Sequence, residues 1–266
     1  MLGIPGSTAV SGDRRGILFA MATTDAPYYG ADLAFVHHRG FGRHAEACAD
    51  SILALLEPVR QRRGVVLELG CGSGLLTRHL VDAGHRVIAS DASPAMLQLA
   101  RQVVPDVDEL RQLRLPDDPL PAVDAVVSVG HTLNYLADEP AVEQALRMIA
   151  DALRPGGVLA IDLCDLRWGR VRRNQPNHGQ AGDDWAIITE FSVPSPRRFV
   201  REITTFVRCE DGSWRRGHER HDNVLVDTSE MARLLARHGV DANVQTTLGS
   251  YELPEGLVAI VGERQG

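Results

Sequence analysis

The sequence contains no lysine: all 28 of its basic residues are arginine. Without a lysine amino group, the chain cannot form a Schiff base with pyridoxal phosphate or with a carbonyl substrate. It also lacks the residue that completes a phosphate-binding P-loop. These absences exclude several classes of enzyme before any motif is considered.

Cysteines are few, and long apolar runs are missing. The four cysteines are scattered, with neither C-x-x-C nor zinc-site spacing, so we expect reduced thiols in a cytoplasmic protein and no bound metal. No apolar run approaches the ~20 residues that a membrane span requires. Residues 16–22 are too short to be the apolar part of a signal peptide. The sequence therefore predicts no membrane partner.

Positive charge is also scarce. The 266 residues carry a net charge of −7. Proteins that bind nucleic acids draw much of their affinity from basic residues that contact phosphates, so we expect no nucleic-acid partner. With 44% apolar residues, the chain is long enough and apolar enough for one α/β domain with a sizeable insertion.

Residues 65–100 have the strongest pattern in the chain. Val65–Leu69 is a short apolar run typical of a buried strand. Three glycines follow it at every second position: Gly70, Gly72 and Gly74. Glycine permits sharp backbone turns and leaves room for a ligand, and the helix that follows would present free amide groups to a polar or anionic group. A second strand then ends at Asp91, so the stretch predicts a site for a nucleoside cofactor.

The glycine spacing distinguishes between cofactors. A dinucleotide fingerprint, G-x-G-x-x-G, requires a third glycine where this chain has Leu75. The pattern is instead E-x-G-x-G-x-G from Glu68 to Gly74, with Asp91 seventeen residues beyond it. Together with the segment SDASPAML and the turn L-R-P-G-G, this pattern resembles the class I S-adenosylmethionine (SAM)-dependent methyltransferases. The resemblance covers about residues 60–165.

The resemblance implies a fold and a cofactor. The fold is α/β, a Rossmann-like doubly wound sheet of seven strands with the last antiparallel, helices on both faces, an N-terminal helical lid and a small antiparallel β insertion. The cofactor is SAM, with Asp91 bonding the ribose hydroxyls and a lid tyrosine, Tyr29 or Tyr28, touching it. Arg114 stands where many members have an acidic residue for the adenine amino group, so Asp117 is the substitute candidate. The cofactor residues implied are Tyr29, Glu68, Gly70, Gly72, Gly74, Asp91, Ala92, Met96, Leu115 and Val129.

The whole chain is predicted to form five segments. They are a disordered tail (1–22), the helical lid (23–60), the SAM-binding core (61–165), an antiparallel β insertion covering the acceptor site (166–226), and a C-terminal helix with the last strands of the core sheet (227–266). The insertion contains three runs that alternate in part between apolar and polar residues: 185–191, 199–208 and 214–226. Its 11 arginines against 8 acidic residues between positions 165 and 220 indicate either a solvated face or an anion-binding patch, the first being favoured.

The catalytic candidates are histidines. His131 follows the fourth predicted strand, Asp124–Ser128, where the family places the methyl group beside the substrate. An imidazole titrates near neutral pH, so His131 is the first candidate for a general base; substrate positioning and a structural role are its alternatives. His37, on the lid, is the second candidate.

Three residues are candidates for contacting the acceptor. Asn134 and Tyr135 follow the same strand as His131 and would orient the acceptor, although Tyr135 is equally compatible with the core. Trp185 begins the inserted strands that would cover the acceptor site. The resemblance implies no metal ligand.

The predicted function is transfer of a methyl group from SAM to an oxygen or nitrogen of a small-molecule acceptor, including secondary metabolites, by in-line displacement. The N-P-P-Y or D-P-P-Y motif of DNA and protein-amide methyltransferases is missing after the fourth strand, which favours a small molecule. The alternatives are a SAM-binding protein with a regulatory or non-methyl-transfer role and an NAD(P)-dependent oxidoreductase. The predicted assembly is a monomer or a homodimer.

Overall fold

The structure, a computed structural model, describes residues 28–266. The predicted tail, residues 1–22, and the first residues of the predicted lid lie outside the described residues. The helices are α1 (Ala31–Gly40), α2 (Arg43–Gln61), α3 (Leu75–Asp82), α4 (Pro94–Val103), α5 (Glu139–Ala152), α6 (Leu166–Arg172) and α7 (Thr228–Arg237). The strands are β1 (Val65–Leu69), β2 (Arg86–Asp91), β3 (Glu109–Gln112), β4 (Val123–Ser128), β5 (Leu153–Cys164), β6 (His178–Ala181), β7 (Trp185–Ser195), β8 (Arg198–Arg208), β9 (Trp214–Val224), β10 (Val240–Gln245), β11 (Thr247–Leu248), β12 (Tyr251–Glu252) and β13 (Leu257–Arg264).

The main sheet has seven strands in the order β10-β13-β5-β4-β1-β2-β3. β1 pairs in parallel with both β2 and β4, and β5 pairs in parallel with β4. β13 lies between β5 and β10 and is antiparallel to both. The predicted seven-stranded sheet with an antiparallel last strand is thereby confirmed. The ends of the parallel strands β1, β2, β4 and β5 meet at one edge, where ligands of such sheets bind.

Both faces of this sheet are covered by helices, as predicted. Along β1, Val66 faces the core formed with α2, α3 and α4, whereas Leu67 and Leu69 face the core formed with α5 and α7. Successive side chains of a strand point to opposite faces, so a continuous apolar run is what a strand buried on both sides requires.

The insertion forms a separate antiparallel sheet in the order β6-β7-β8-β9. The three predicted strands are present, and a fourth, β6, was not predicted because its residues, HGQA, are all exposed and do not alternate. Helix α1 packs against this sheet through Leu33 and Val36, which meet Trp185 and Ile203. The predicted lid therefore lies between the inserted sheet and the main sheet.

The chain turns back on itself before the last strand. β10 ends at Gln245, and β11 pairs with β12 across a turn at Gly249, whose φ is 58°. Glycine adopts this conformation at little cost, so the turn reverses the chain and places Tyr251 beside α2.

Among the described residues, no helix has both the length and the apolar character that crossing a bilayer requires.

Candidate active site

A cleft opens at the edge of the main sheet where β1 and β4 end. It encloses about 1170 Å³ of space, including its open mouth. One side consists of the glycine turn between β1 and α3, and another of the helical lid formed by α1 and α2. The inserted sheet contributes Arg201, and the loop after β4 contributes His131. The cleft thus joins parts of the chain that are far apart in sequence, and Trp168 and Tyr251 also line it.

The glycines of the turn have different roles. Gly70, Gly72 and Gly74 all have positive φ angles, of 70°, 55° and 85°. A Cβ on Gly70 would lie 2.2 Å from Thr132 Oγ1, and one on Gly74 would lie 3.0 Å from Val104, so both positions are closely packed. A Cβ on Gly72 would have no atom within 4 Å. Gly72 therefore presents bare backbone to open space in the cleft wall.

Asp91 holds this turn in place. Its Oδ2 accepts a hydrogen bond from the Gly72 amide at 2.9 Å, and its Oδ1 accepts one from the Ser93 amide at 2.8 Å. Burial raises the pKa of Asp91, and the two backbone bonds oppose that rise. The carboxylate thus connects the end of β2 to the glycine turn and to the start of α4.

Glu68 is a second buried carboxyl group in the cleft wall. It is 3% exposed and accepts a 2.7 Å hydrogen bond from Thr77 Oγ1. Burial raises the pKa of Glu68 to about 7, the Thr77 hydrogen bond opposes the rise and the charge of Asp91 adds to it. At neutral pH the group is thus divided between its two protonation states.

The lid is tied to both of its neighbours. At the start of α1, the amides of Tyr29 and Gly30 donate to the Glu219 carboxylate of β9 at 2.7 and 2.9 Å. The Tyr29 carbonyl accepts from Ser93 Oγ at 2.7 Å. Farther along α1, His38 Nδ1 lies 3.0 Å from Ser73 Oγ in the glycine turn. These bonds hold α1 across the mouth of the cleft.

His131 has a left-handed backbone conformation, with φ 50° and ψ 40°. Its ring stacks on Tyr135 at 5.6 Å between centroids, with 9° between the planes. Burial, supported by the charge of Arg201, lowers the pKa of His131 to about 3. The prediction that this imidazole titrates near neutral pH is therefore wrong, since burial disfavours its charged form.

Asp162, at the end of β5, fixes the backbone beneath His131. It accepts hydrogen bonds from the amides of Gly130 (3.0 Å) and His131 (2.5 Å) and from His44 Nε2 of α2 (2.7 Å). Burial opposes the protonation of His44, but its hydrogen bonds to Asp162 and Cys48 and the charges of these two groups together outweigh burial and raise the pKa of His44 well above its usual range. Tyr251 Oη lies 3.3 Å from His44 Nδ1. The lid is thereby joined to the loop that carries His131.

Tyr29 and Arg201 line the cleft, and Tyr135 contacts both of them. The hydroxyls of Tyr29 and Tyr135 lie 2.9 Å apart, and Arg201 Nη2 donates to the Tyr135 hydroxyl. Burial raises the pKa of Tyr135 well above its usual value, so it remains a neutral phenol. Tyr28 instead packs edge-on against Tyr135 and His221, and the cleft is lined by Tyr29.

The family model for a methyltransferase domain matches residues 66–157. That range contains the glycine turn, Asp91 and His131. Residues 66–157 are therefore assigned to a methyltransferase domain, in agreement with the resemblance noted in the sequence. SAM is the cofactor that the sequence pattern predicts for this domain.

Individual relatives agree with this assignment. An uncharacterized methyltransferase of Mycobacterium tuberculosis (strain ATCC 25618 / H37Rv) is 37% identical over 147 residues, which are 53% of this chain and 56% of the relative. The dTDP-3-amino-3,6-dideoxy-alpha-D-glucopyranose N,N-dimethyltransferase of Streptomyces fradiae is 28% identical over 149 residues, 54% of this chain and 57% of that protein. The chain thus spans little more than half the length of these two relatives.

The fold is shared along almost the whole chain with a solved structure. The sugar N-methyltransferase KedS8 from Streptoalloteichus sp. ATCC 53650 superposes with a TM-score of 0.72, covering 99% of each chain at 22% identity. At that identity the likeness concerns the fold, including the presence of the inserted sheet, and leaves the acceptor open.

The residues of the cleft fit SAM. The open space beside Gly72 lets a ligand approach the backbone. Each carboxylate oxygen of Asp91 accepts a hydrogen bond from one backbone amide. Each oxygen has a further lone pair that can accept a hydrogen bond from a ribose hydroxyl. Glu68, when ionised, supplies negative charge to a cationic ligand. The contacts of these three residues with the cofactor remain predictions.

Substitution of Gly72 provides a test of the open backbone. Gly72→Ala is expected to weaken SAM binding at least tenfold, since its methyl group fills the space that a ligand would occupy. Gly84→Ala is the matched control: Gly84 also has a positive φ, 84°, and open space around its Cβ position, but it ends α3 outside the cleft. Both variants should lose about 1–2 kcal/mol of stability from backbone strain. Titration calorimetry checks the prediction, and equal SAM affinities of the two variants would contradict it.

Two of the three predicted acceptor residues lie elsewhere. Trp185 is 5% exposed and packs on Gly40 and α1, where a Cβ on Gly40 would lie 2.6 Å from its ring. Asn134 is fully buried and bonds the backbone of Cys164 and Val224, so it joins the loop after β4 to β5 and β9. Both predictions are corrected. Trp185 is buried by apolar packing, and Asn134 is buried because it satisfies backbone groups of neighbouring strands.

The other predicted residues are distributed around the cleft. His37 lines it, and burial lowers the pKa of His37 to about 4; it is therefore neutral and packs against Tyr29 and Phe41. Val129 also lines the cleft. Three residues lie behind the wall: Met96 packs under Tyr29, Ala92 offers its carbonyl to Gln112, and Leu115 packs on the α5 side of the sheet. The backbone amide of Arg114 donates to Asp118 Oδ2, and the adenine contact of Asp117 stays a prediction.

Four residues of the site were not identified from the sequence. They are His44, Asp162, Arg201 and Glu219. Asp162 stands near the end of an apolar run typical of a buried strand. A charged residue is rarely buried there without a partner, so the sequence alone could have predicted that Asp162 is paired. Arg201 lay within the excess of arginines that was assigned to a solvated face, and nothing local separates it from its exposed neighbours.

Proposed function

We propose that this enzyme transfers the methyl group to an amino nitrogen of a small molecule. The observation that carries the proposal is the neutral ring of His131, which lines the cleft and whose buried Nδ1 has no hydrogen-bond partner among the described residues. In the tautomer with its proton on Nε2, Nδ1 accepts a hydrogen bond from a donor on the acceptor molecule.

The basicity of His131 favours nitrogen over oxygen. A hydroxyl acceptor needs a base that takes its proton, and an imidazole whose pKa is held near 3 is too weak for that task. A neutral amine already has a free lone pair. It needs only to be oriented, and a hydrogen bond from its N–H to His131 would do so.

The charges around His131 support the same choice. Arg201 and the protonated His44 place two cations near the ring. Like charges disfavour an ammonium ion in this position and so favour the neutral amine. The names of the relatives agree, since the Streptomyces fradiae protein and KedS8 are both N-methyltransferases acting on sugars.

SAM supplies an electrophilic methyl group on a positively charged sulfur. The chain's own residues then bind, orient and exclude water, and orientation alone can contribute up to about 7–11 kcal/mol. Asp91 and the glycine turn hold the cofactor, His131 and Tyr135 orient the amine, and α1 closes the mouth of the cleft.

Turnover with matched acceptors tests the proposal. Amino sugars and amino acids should gain a methyl group in the presence of SAM, detected by mass spectrometry, and their hydroxyl analogues should not. Methylation of the hydroxyl compounds alone would contradict the proposal.

The pH dependence of kcat/KM provides a second test. The pKa of His131 is about 3, so the ring stays neutral throughout pH 5–9. The rate should therefore rise with pH only as the acceptor amine loses its proton. For two acceptors whose amine pKa values differ, the rising limb should move with the acceptor. If the rising limb stayed near pH 6–7 for both acceptors, it would report a titrating histidine of the enzyme and contradict the prediction.

The two alternatives predict other ligands or outcomes. A regulatory SAM-binding protein would bind SAM without turnover, and an oxidoreductase would bind NAD, which Leu75 disfavours. Titration with SAM, S-adenosylhomocysteine and NAD distinguishes the oxidoreductase from the two SAM-binding proteins, and the turnover assay distinguishes the regulatory protein from the enzyme. The cytoplasmic location and the monomeric or dimeric state stay predictions.

A further inference from the structure

Three buried nitrogen atoms that have no partner belong to residues lining the same cleft. Among residues 28–266, these are Arg201 Nε, Trp168 Nε1 and His131 Nδ1. A buried polar atom without a partner costs about 1–3 kcal/mol, so a site that gathers several of them is built for a ligand that supplies the partners.

Arg201 brings a full positive charge to this wall. In the described part of the chain its guanidinium bonds only neutral groups, the Tyr135 hydroxyl and, at 3.3 Å, Asn223 Oδ1. A buried cation without an anionic partner is strongly disfavoured. A neighbouring arginine of the same strand, Arg198, is paired with Asp222 at 3.2 Å, so the lack of a carboxylate distinguishes Arg201.

Trp168 lies on α6, next to His131, with 6.0 Å between the two ring centroids. A second guanidinium, that of Arg172, lies 3.2 Å from the centre of the Trp168 ring. Both an indole N–H and a guanidinium can only donate hydrogen bonds. The missing partner of Arg201 and Trp168 must therefore be an acceptor, and the positive surroundings favour a negatively charged one.

We propose that the methyl acceptor carries an anionic group, a carboxylate or a phosphate, which binds the Nε–H of Arg201 and the Nε1–H of Trp168. This inference rests on the proposed function, because it adds a second group to the amine that His131 orients. The acceptor is then an anionic amine, such as an amino acid or a phosphorylated amino sugar. Arg201 comes from the inserted sheet and contacts Tyr135, which stacks on His131, so the anion site adjoins the acceptor position.

Binding of matched probe pairs tests the anion site. Each pair differs in one anionic group: glycine against glycinamide, and glucosamine 1-phosphate against methyl glucosaminide. In calorimetric titrations of the protein saturated with S-adenosylhomocysteine, the anionic member of at least one pair should bind at least tenfold more tightly. Arg201→Gln should remove this preference. Trp168→Phe, which keeps the ring and deletes the N–H, should reduce it severalfold.

Two control variants make the result specific. Arg198→Gln removes a paired arginine from the same strand and should leave the preference unchanged. Arg201→Lys keeps the charge and should retain part of the preference, which shows that Arg201→Gln acts through charge rather than through misfolding. Equal binding within both pairs, binding of no probe, or a preference that survives Arg201→Gln would each overturn the proposal.

The carboxylate of SAM itself is a rival partner for Arg201. If Arg201→Gln weakens S-adenosylhomocysteine binding and leaves the probe preference unchanged, the guanidinium serves the cofactor and the proposal is overturned. Failure of the amine proposal gives a different result: glycolate, an anionic hydroxyl compound, would be methylated with the same dependence on Arg201. The anion site would then stand without the amine.

Discussion

Asp162→Asn is expected to lower kcat by about 100- to 1000-fold while leaving SAM affinity nearly unchanged. The carboxylate accepts hydrogen bonds from two backbone amides and from His44, and asparagine replaces one accepting oxygen with a donor. The left-handed backbone at His131 then loses support, and a misplacement of about 1 Å in an active site can cost about 100-fold in rate. Steady-state kinetics at saturating SAM measure the effect.

The variant must be separated from one that simply unfolds. Breaking a buried ion pair by removing one partner costs about 3–5 kcal/mol, so thermal unfolding is followed in parallel and kinetics are measured well below the transition. His44→Gln serves as the comparison, because it removes the ion pair but leaves the two backbone bonds to Asp162. Its kcat should fall less than that of Asp162→Asn. A kcat for Asp162→Asn within tenfold of the wild type would show that this carboxylate does not position His131.

Asp91→Ala is expected to weaken SAM binding at least 10- to 100-fold. A charge-assisted hydrogen bond contributes about 1.5–3 kcal/mol, which corresponds to that range of dissociation constants. The structure adds a second loss, since the amides of Gly72 and Ser93 would be left without their acceptor. Asp91→Asn, which keeps one accepting oxygen, should have an intermediate affinity. Calorimetry with SAM provides the measurement.

Asp108→Ala is the matched control for Asp91→Ala. The Asp108 carboxylate also accepts a backbone amide of β2, that of Val87 at 2.8 Å, but it lies at the opposite end of the strand from Asp91. Its removal should lower stability without changing SAM affinity. Equal loss of affinity in both variants would mean that Asp91 acts through the fold of β2 rather than at the ligand.

The sequence was most informative where a function is encoded by neighbouring residues. The turn from Glu68 to Gly74 and the acidic end of β2 are local features, because the strand, the turn and the helix that form them follow one another directly. They predicted the cofactor and the sheet. The order of the last strands followed from the family resemblance that these residues carried.

The acceptor side could not be read in the same way. Arg201 and Asp162 acquire their roles from partners on other elements, and no local spacing records those contacts. Trp185 was predicted to contact the acceptor but is a core residue. A large aromatic residue at the start of an inserted strand is equally suited to a ligand and to apolar packing, and only the position of α1 decides between them. His131 lines the cleft and its role stays a prediction, but its charge state depends on burial that the sequence does not reveal.

The hydrogen bond between the Tyr29 amide and Glu219 joins residues that are 190 positions apart. Contacts of such long range form late in folding, because closing a long loop costs chain entropy before the contact repays it. The carbonyl of Tyr29 also accepts a hydrogen bond from Ser93 Oγ, at the start of the helix that follows Asp91. Hydrogen bonds thus connect the inserted sheet to the lid, and the lid to the helix that follows Asp91. A destabilising substitution in the insertion would therefore reduce the fraction of molecules able to bind cofactor, although it touches no ligand.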